Sequence, residues 1–425
     1  MIKKFSVNNF RNVTINDLDF SKVNILIGPN NSGKSNFIKA LSFSANIVAN
    51  EKEKEATLNS AFLSEVQRNG WERLLNKYSE RSREVEFNWT INLDGEDCVY
   101  KFAFNVGDAD EPQKTFFITK EILDSLKPSN SQDRSYKYFQ CHEENKGIGY
   151  FSTANKVGQR NSRIGIKVDN RETVLLQIKD LLIDNPKLYN ASNIREQISI
   201  KVTQLLNYFK HFYAFSSAQF DINAVRKSVE LTHKGMYLQS DASNFTNVFN
   251  YYKSKDMFFK VKFEKKLKEL MKLDMVDISI EYDRMFFKIG LDGKEYDIRD
   301  MSDGTIKIMI IALLLTIPKE DSFSVLAIDE PEMNFHPAWQ KVVAKWILST
   351  QDDRQFFIST HSPDFLDVFT DSIKNGNVSV FIFNQNLIQK ITKLDYERIR
   401  EDIEKGWQLG DLYRTADPSI GGWPW

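Results

Sequence analysis

Residues 28–35 read Gly-Pro-Asn-Asn-Ser-Gly-Lys-Ser and fit the phosphate-binding pattern G-x-x-x-x-G-K-[ST]. The apolar run 23–27 precedes this stretch and a helical pattern follows it, so the sequence predicts a strand, a loop and a helix in that order. In such a loop the backbone N–H groups curl around phosphate oxygens at the start of the helix. Gly28 and Gly33 leave room for that curl because they carry no side chain. The pattern therefore predicts a binding site for a nucleoside triphosphate.

Two side chains of this loop have specific expected roles. Lys34 is expected to reach the β- and γ-phosphates, and the Ser35 hydroxyl is placed to coordinate the Mg²⁺ that bridges them. We therefore expect ATP and Mg²⁺ as cofactors. The residues expected to contact ATP here are Asn30, Asn31, Ser32, Gly33, Lys34, Ser35 and Asn36.

Composition and charge narrow the class of protein. The chain has 425 residues, 41% of them hydrophobic, which is enough for one large core or two moderate ones. The 57 Lys and Arg residues balance 58 Asp and Glu residues, which excludes the overall positive field of a nonspecific nucleic-acid binder. Cys98 and Cys141 form no C-x-x-C pair, so we expect neither a metal knuckle nor a disulfide framework. The sequence has no signal-peptide pattern and no membrane-length apolar run, so we expect a soluble, cytoplasmic protein.

Four segments of different character follow one another along the chain. Residues 1–48 read as strand, turn, strand, phosphate loop and helix, and residues 49–210 read as an inserted α+β lobe. Strand-like residues 211–215 are expected to re-enter the main sheet, so that residues 211–385 complete a split α/β nucleotide-binding domain with a mixed sheet. Residues 386–425 are expected to form a C-terminal extension that packs on this domain or on a partner.

Turn and periodicity signals predict elements within the insertion. Polar, helix-spaced sequence runs to about residue 84, and a β-hairpin that turns at residues 93–96 follows it. A stretch rich in Ser, Asn and Asp at residues 127–134 predicts a long exposed loop. Residues 172–208 return to helical periodicity.

A second apolar run ends in two adjacent carboxylates. Residues 324–328 have a buried-strand pattern and are followed by Asp329 and Glu330, which is the Walker B arrangement. At the end of such a strand Asp329 is placed to hold Mg²⁺ through its water shell. Glu330 is expected to face the γ-phosphate, where a carboxylate can orient and deprotonate a water for in-line attack. We therefore expect Glu330 to be the catalytic base.

A third apolar run, residues 356–358, ends in Ser359-Thr360-His361, 32 positions after Asp329. A histidine in a turn is usually only solvated. A buried strand that ends in Ser-Thr-His after Walker B, however, is typical of a γ-phosphate sensor. We expect His361 to donate a hydrogen bond to the γ-phosphate and to act beside Glu330 in catalysis.

Residues 300–305 read Asp-Met-Ser-Asp-Gly-Thr and precede an apolar helical run at residues 306–316. Ser302 is a good N-cap, and Gly304 leaves the N-terminus of this helix open to an anion. Taken alone, this is a capped helix. Because it lies shortly before Walker B, we expect it to meet the γ-phosphate held by a second copy of the chain. The residues expected to act in trans are Ser302, Asp303, Gly304 and Thr305.

A Lys-rich amphipathic segment at residues 256–273 permits two interpretations. It is either a helix that faces nucleic acid, or a solvated helix whose apolar residues turn to the core, and the second is the ordinary arrangement of such sequences. Two short strands, residues 277–282 and 285–289, are predicted to follow it.

The order of these motifs resembles the ABC-type ATPase heads of the SMC, RecF and OLD families. The resemblance covers residues 1–48 and about 211–385, and residues 301–305 look like the signature motif of these heads, with Asp303 where transporter ATPases usually have Gly. The stretch Asp329–Pro337 is similar to the Walker B and D-loop sequence of the OLD-like and RecF-like branch. The resemblance implies a P-loop ABC-type ATPase head with an inserted lobe.

The same resemblance implies further site residues and an assembly. Asn9-Phe10-Arg11 fits the opening strand of these heads, which implies that Arg11 lies near the nucleotide, and Gln219 resembles the Q-loop glutamine. The implied metal ligands are Ser35, Asp329 and Gln219. In these families two heads enclose two ATP molecules, so we expect a homodimer or higher oligomer in which hydrolysis is slow and depends on assembly.

Two departures from the families matter. The insertion lacks sustained heptads, so no long coiled-coil arm is expected. Only 64 residues follow His361, too few for the nuclease domain of full-length OLD proteins, so we expect any nuclease effector to be a separately encoded protein. The sequences at residues 406–413 and 421–425 resemble the endings of stand-alone members, and their aromatic residues either dock a partner or pack back on the head.

Three functions remain open at this point. The first is an ATP-hydrolysing switch that senses a phage component or a nucleic acid and controls an effector, as in the Septu and PARIS anti-phage systems that the chain resembles. The second is a RecF-like DNA-repair clamp that binds DNA directly through a basic strip such as Lys260–Lys268. The third is a scaffold that binds ATP without appreciable turnover. A transporter subunit fits least, because the signature sequence and the long insertion both depart from that group.

Overall fold

The fold was analysed in a computed structural model, which describes residues 1–48, 60–70, 73–76, 83–106, 116–126, 136–142, 147–152, 163–185, 192–227, 237–273, 276–281, 284–289, 294–318, 321–350, 352–384 and 391–421. The chain divides into two units by its internal contacts. The first unit consists of Met1–Ser21, Pro29–Phe212 and Phe383–Ile391. The second unit consists of Lys22–Gly28, Tyr213–Ile382 and Thr392–Trp425.

The strands of the described residues are β1 (Ile2–Phe10), β2 (Val13–Asp19), β3 (Val23–Ile27), β4 (Glu84–Leu93), β5 (Glu96–Asn105), β6 (Phe117–Ser125), β7 (Lys137–His142), β8 (Ile148–Ser152), β9 (Arg163–Lys167), β10 (Phe212–Ser216), β11 (Val276–Glu281), β12 (Arg284–Ile289), β13 (Lys294–Asp297), β14 (Val325–Asp329), β15 (Gln355–Ser359), β16 (Val378–Phe383) and β17 (Ile391–Lys393). The α-helices are α1 (Lys34–Asn46), α2 (Ala61–Asn69), α3 (Val174–Asp184), α4 (Ser192–Lys210), α5 (Ile222–Arg226), α6 (Phe245–Lys255), α7 (Phe259–Met271), α8 (Asp303–Thr316), α9 (Pro337–Leu348), α10 (Pro363–Asp367), α11 (Thr370–Lys374), α12 (Tyr396–Glu404) and α13 (Leu409–Arg414).

An antiparallel sheet of eight strands, in the order β2-β1-β4-β5-β6-β7-β8-β9, forms much of the first unit. The hairpin predicted from the sequence is confirmed, since Leu93 pairs with Glu96 across the turn. Asp94 and Gly95 have φ angles of 49° and 87°, the left-handed values that a tight two-residue hairpin turn requires. Along β4 the side chains alternate between buried and half-buried, which is the period of a strand that turns one face to a core.

Phenylalanine rings attach helix α1, which begins directly after the phosphate loop, to this sheet. The ring centroid of Phe43 on α1 lies 5.8 Å from that of Phe87 and 5.7 Å from that of Phe104. Phe37 on the same helix lies 6.0 Å from Phe5 of β1 in an edge-to-face arrangement. All five rings are buried. Because aromatic pairs contribute both buried area and preferred geometry, this cluster fixes the helix that carries the loop.

A six-stranded sheet in the order β10-β14-β15-β3-β16-β17 forms the centre of the second unit. Strands β14, β15, β3 and β16 pair in parallel. Every residue of β3 and β15 is buried, which is why both strands read as near-continuous apolar runs rather than alternating ones. The strand predicted at residues 211–215 is β10, and it lies beside β14 as expected for a strand that re-enters the main sheet.

Two helices of the second unit confirm predictions from periodicity. The apolar run after the signature sequence forms α8, which is buried on nearly all sides. The Lys-rich segment forms α7, whose buried residues Phe259, Phe263, Leu267 and Leu270 recur at helical spacing. The interpretation of this segment as a helix with its apolar side turned to the core is therefore confirmed.

Other predictions differ from the structure or fall outside the described residues. Strands β11 and β12 confirm the two predicted after α7, but β12 also pairs with β13, which the sequence analysis did not predict. The short polar sequence of β13, Lys-Glu-Tyr-Asp, lacks the apolar alternation that identifies a strand. The exposed loop predicted at residues 127–134 and the tail at residues 422–425 lie outside the described residues.

The sequence predicts a split domain, an insertion and a C-terminal extension, which are segments that follow one another along the chain. The two units are instead defined by which residues contact one another. The boundaries 1–48, 49–210, 211–385 and 386–425 therefore stay a prediction.

Two further observations concern membranes and metals. Among the helices that the structure describes, none is both long enough and apolar enough to cross a membrane. Over the same residues, no three His, Cys, Asp or Glu side chains form a cluster that could hold a metal ion. Cys98 and Cys141 are buried free thiols.

A buried carboxyl group in the first unit makes the stability of the chain depend on pH. The Glu121 carboxyl on β6 accepts hydrogen bonds from the backbone N–H groups of Val174 (2.7 Å) and Leu175 (3.2 Å) at the N-terminus of α3, and from the Tyr100 hydroxyl (3.1 Å). Burial raises the pKa of Glu121 from 4.5 to about 7, although these hydrogen bonds oppose the increase.

Because the pKa of Glu121 is raised in the folded state, its contribution to stability is fully present below the unfolded pKa of about 4.5 and is lost as the pH rises through about 7. We expect the free energy of unfolding of the wild type, relative to Glu121→Gln, to fall by on the order of 3 kcal/mol between pH 4.5 and pH 7.5. Urea unfolding of both proteins across this range measures the difference. Parallel pH profiles for the two proteins would contradict the assignment.

Candidate functional site

The loop at residues 28–35 has left-handed backbone angles at three positions. Gly28, Asn31 and Gly33 have φ angles of 152°, 61° and 101°, all in the left-handed region. Gly33 is the N-cap of α1, and because it has no side chain, no cap group covers the first N–H groups of the helix. Lys34 is buried and its Nζ donates a hydrogen bond to the Pro29 carbonyl (2.9 Å), so its ammonium group turns back over the loop. These features fit the phosphate groups of a nucleotide.

The remaining predicted residues of the first unit lie in this loop, at the start of α1, or in the turn between β1 and β2. Asn30 and Asn31 are exposed, Ser32 is buried, and Ser35 is half-buried. Asn36 donates a hydrogen bond to Asn12 Oδ1 (2.6 Å). This bond links the first turn of α1 to the turn between β1 and β2.

Arg11, which the resemblance places near the nucleotide, lies in that same turn. It has a φ angle of 53°, and its guanidinium donates a hydrogen bond to Asn69 Oδ1 on α2 (3.2 Å). Burial, followed by the nearby Arg73, lowers the pKa of Arg11 below its usual value. Its proposed contact with the nucleotide stays a prediction.

The second unit brings the carboxyl ends of three strands to one edge of its sheet. Since β3, β14 and β15 are parallel neighbours, Gly28, Glu330 and Thr360 follow the ends of adjacent strands. The backbone N–H of Thr360 donates a hydrogen bond to the Leu26 carbonyl of β3 (3.1 Å), which continues the pairing to the end of the strand. In open α/β sheets this edge is where ligands bind.

The two Walker B carboxylates are held at this edge by the neighbouring strand. Ser359 Oγ donates a hydrogen bond to Asp329 Oδ1 (2.5 Å) and accepts one from the backbone N–H of Glu330 (3.0 Å). Glu330 has a φ angle of 50°, a conformation that is rare for residues other than glycine, and Ser217 Oγ donates to its carbonyl (2.5 Å). Such a backbone conformation is maintained only when surrounding bonds enforce it, and it is frequent at functional sites.

His361 lies beside Glu330. Its Nε2 is 3.5 Å from Glu330 Oε1, and both side chains are about one-third exposed. The backbone of this turn is held by Glu332, whose Oε1 accepts hydrogen bonds from Thr360 Oγ1 (2.7 Å) and the His361 N–H (2.8 Å). Burial raises the pKa of Glu332. The structure thus brings together the two residues predicted to be catalytic.

Gln219 lies in the short 3₁₀ helix Ser217–Gln219 that follows β10, and it is exposed. Ser217 of the same helix contacts the Glu330 backbone, so this helix lies next to Walker B. The role of Gln219 as a metal ligand stays a prediction.

The signature residues form the N-terminus of α8 as predicted. Ser302 is the N-cap, and its Oγ accepts a hydrogen bond from the Thr305 N–H (3.2 Å). Ser302 and Asp303 are exposed, and an oxygen of Asp303 lies 2.7 Å from the guanidinium of Arg226. The Arg226 guanidinium also donates a hydrogen bond to the Met301 carbonyl (2.8 Å). The signature turn is therefore held at both its backbone and its acidic side chain.

Gly304 has a packing role that the sequence did not indicate. A β-carbon at this position would lie 2.5 Å from the carbonyl oxygen of Asn334, in the loop that follows Walker B. Asn334 itself has a left-handed φ of 69°. Only glycine lets the first turn of α8 approach the backbone of that loop so closely.

Three residues that contact the predicted site were not singled out from the sequence: Ser217, Arg226 and Tyr413. Each lies far along the chain from its partner. Two signals were available: the apolar strand before Ser217, and the stretch 406–413, which contains Tyr413 and whose aromatic residues were expected to dock a partner or to pack on the head.

A family model described as "AAA domain, putative AbiEii toxin, Type IV TA system" matches residues 23–367. The chain belongs to this AAA family. The match runs from β3 through α10 of this chain. It therefore includes Walker B, the signature turn and His361.

Likeness to individual proteins is more limited. The AAA-family chain is 27% identical over 138 residues to the "Retron Vc95 probable ATPase" of Vibrio cholerae serotype O1 biovar El Tor, and the alignment covers 28% of this chain and 26% of that protein. The chain therefore matches about a quarter of the length of that relative.

Solved structures identify the fold. An SMC head bound to the C-winged helix domain of ScpA matches 93% of this chain and 99% of that chain, with a TM-score of 0.50 and 15% identity. The SMC head domain from Thermotoga maritima matches the same shares, with a TM-score of 0.43 and 11% identity. The first of these likenesses shows that the AAA-family chain has the fold of an SMC-like, ABC-type ATPase head, which confirms the fold class predicted from the motifs.

The close approach at Gly304 leads to a prediction about stability. Gly304→Ala forces the first turn of α8 away from Asn334, so we expect the free energy of unfolding to fall by about 1–3 kcal/mol. Asp303→Ala in the same turn serves as the control, because Asp303 is exposed and its loss removes only a partly solvated ion pair, worth about 1 kcal/mol or less. Chemical denaturation measures both values. Equal stability of Gly304→Ala and the wild type would contradict the packing role.

Proposed function

We propose that this chain is an ATP-hydrolysing switch that works as a dimer or higher oligomer. In this proposal it senses a phage component or a nucleic-acid trigger and controls a separate effector, a nuclease, in bacterial anti-phage defence. The proposal of ATP hydrolysis rests on one observation: Asp329, Glu330 and His361 lie together at the carboxyl edge of one sheet. Strand β3 of the same sheet leads into the phosphate loop.

Each proposed site residue has a physical role in hydrolysis. The N–H groups at the start of α1 and the Lys34 ammonium neutralise phosphate charge. Ser35, Asp329 and Gln219 would hold Mg²⁺, and the ion would supply positive charge that offsets the charge of the phosphate groups. Glu330 orients and deprotonates the attacking water, and His361 stabilises the charge on the transferred phosphoryl group.

The proposal of assembly is supported by the exposed signature turn. Ser302 and Asp303 lie at the N-terminus of α8, a helix of 14 residues, and both side chains face solvent in the single chain. A helix N-terminus favours negative charge, so a second copy could present its γ-phosphate there. This arrangement makes the ATP the element that joins two heads.

The defence role is supported by relatives rather than by geometry. The family description refers to a toxin and a type IV toxin–antitoxin system, and the matched relative is named for a retron. The identity of the trigger and of the effector is therefore inferred by analogy.

The alternative of direct DNA binding has less support, because several lysines of the basic strip have partners within the chain. Lys260 Nζ lies 2.6 Å from Asp277 and 3.4 Å from Glu264. Lys266 lies over the Trp346 ring, 5.0 Å from its centroid. Such lysines are less available to phosphate groups.

The ATPase assignment predicts different outcomes for two substitutions. Lys34→Ala should abolish binding of ATP, because the buried cation that faces the phosphates is lost. Glu330→Gln should retain ATP but lower turnover by about 100-fold or more, because the amide cannot accept the proton of the attacking water. ATP binding by equilibrium dialysis and phosphate release measure these two effects. Turnover of Glu330→Gln at the wild-type rate would show that Glu330 is not the base, and no turnover in the wild type would favour the ATP-binding scaffold.

The proposed dimer predicts complementation between two inactive variants. Ser302→Arg places a large side chain in the signature turn, and Lys34→Ala removes ATP from the phosphate loop. Each variant alone should therefore be inactive. In a mixed dimer one site carries both defects and the other carries neither, so an equal mixture should recover about a quarter of the wild-type rate if the sites act independently. Phosphate release from the mixture is the measurement. Recovery in neither the mixture nor a co-expressed pair would contradict signature action in trans.

A further inference from the structure

Helix α13, near the C-terminal end of the described chain, is fastened to the elements that follow His361. The Leu409 N–H donates a hydrogen bond to Thr370 Oγ1 (3.1 Å), and the Gly410 N–H donates one to Asp367 Oδ1 (2.9 Å). Arg414 reaches Asp364, with its guanidinium 3.2 Å from the carboxylate. Helix α13 is thus attached at both its ends to the segment α10–α11.

Gly410 makes this attachment close. A β-carbon at position 410 would lie 2.2 Å from Asp367 Oδ1 and 2.3 Å from the Pro363 carbonyl oxygen. Both distances are far shorter than any van der Waals contact, so a larger residue would displace α13 from α10. Position 410 therefore sets the distance between the two helices.

The close attachment places one side chain of α13 on the catalytic histidine. The Tyr413 hydroxyl lies 3.3 Å from His361 Nδ1. Tyr413 is buried, and burial together with the nearby Glu332 carboxyl raises the pKa of its phenol to about 12. The hydroxyl therefore stays protonated at neutral pH.

The two sides of the His361 ring have different neighbours. Nε2 faces Glu330 Oε1 at 3.5 Å, and an ionised carboxylate can only accept a hydrogen bond. In the tautomer of the neutral ring that carries its proton on Nε2, the N–H is on the side of Glu330 and Nδ1 accepts from the Tyr413 hydroxyl. A hydrogen bond donated by the Tyr413 hydroxyl to Nδ1 thus favours the tautomer with the proton on Nε2.

We propose that Tyr413 is a positioning residue for His361: it holds the ring so that an N–H on Nε2 points to Glu330 and to the γ-phosphate site. This inference rests on the proposed ATPase function and deepens it. It assigns to α13 a part in turnover, whereas the sequence left open whether this extension docks a partner or packs on the head. Here it packs on the head and completes the surroundings of the catalytic histidine.

The test compares Tyr413→Phe, which removes only the hydroxyl, with Tyr396→Phe, which removes a hydroxyl from helix α12. Histidine is ¹⁵N-labelled, and the tautomer of His361 is read from its two ring nitrogen shifts in the protein without nucleotide, with His361→Gln used to assign the signals. The Nε2–H tautomer should dominate in the wild type and in Tyr396→Phe. In Tyr413→Phe the Nδ1 shift should move toward that of a solvated imidazole mixture.

Kinetics supply the second measurement. Tyr413→Phe should lower kcat by about tenfold with KM for ATP changed by less than about twofold, because the hydroxyl orients a catalytic group and touches no part of the nucleotide. Gly410→Ala should lower kcat in the same way without altering the tyrosine, because it displaces α13. Near-UV circular dichroism and ATP binding establish that each variant is folded.

The outcomes separate this inference from the function on which it rests. An unchanged His361 tautomer in Tyr413→Phe, or an unchanged kcat, overturns the positioning role even if the wild type is an active ATPase. A wild type that hydrolyses no ATP overturns the proposed function, and in that case the ring nitrogen shifts alone decide whether Tyr413 orients His361.

Discussion

The site depends on the parallel pairing of three buried strands. β3 lies about 300 residues before β14 and β15 in the sequence. Ser359 of β15 is paired with Leu26 of β3 on one side and with Asp329 of β14 on the other. All residues of β3 and β15 are buried, so a shift in register would put polar atoms into the core. The register therefore determines which side chains reach the carboxyl edge together.

At that edge, ordinary hydrogen bonds hold an unusual backbone. Glu330 adopts a left-handed conformation, and its N–H and carbonyl are both bonded, to Ser359 and Ser217 respectively. Strain of this kind costs about 1–3 kcal/mol and is maintained only by such surroundings. In this conformation Glu330 Oε1 lies 3.5 Å from His361 Nε2. The protein itself therefore fixes the Glu330 backbone.

A second set of contacts attaches the C-terminal helix to the same histidine. Gly410 allows α13 to approach α10, and the approach brings the Tyr413 hydroxyl to the ring of His361. His361 is therefore in contact with the last described α-helix of the chain. A displacement of α13 is expected to alter the surroundings of His361, because packed, hydrogen-bonded groups join the two.

The sequence by itself determined the parts whose signals are local. The glycines and lysine at residues 28–35, the two carboxylates after an apolar run, and the Ser302 cap could be read directly, because each reflects a geometric need within a few residues. The tertiary structure decided what these parts touch. Ser217 on Glu330, Arg226 on Asp303 and Tyr413 on His361 are pairs far apart in sequence, and such pairs follow from strand register and helix packing, which no local pattern records.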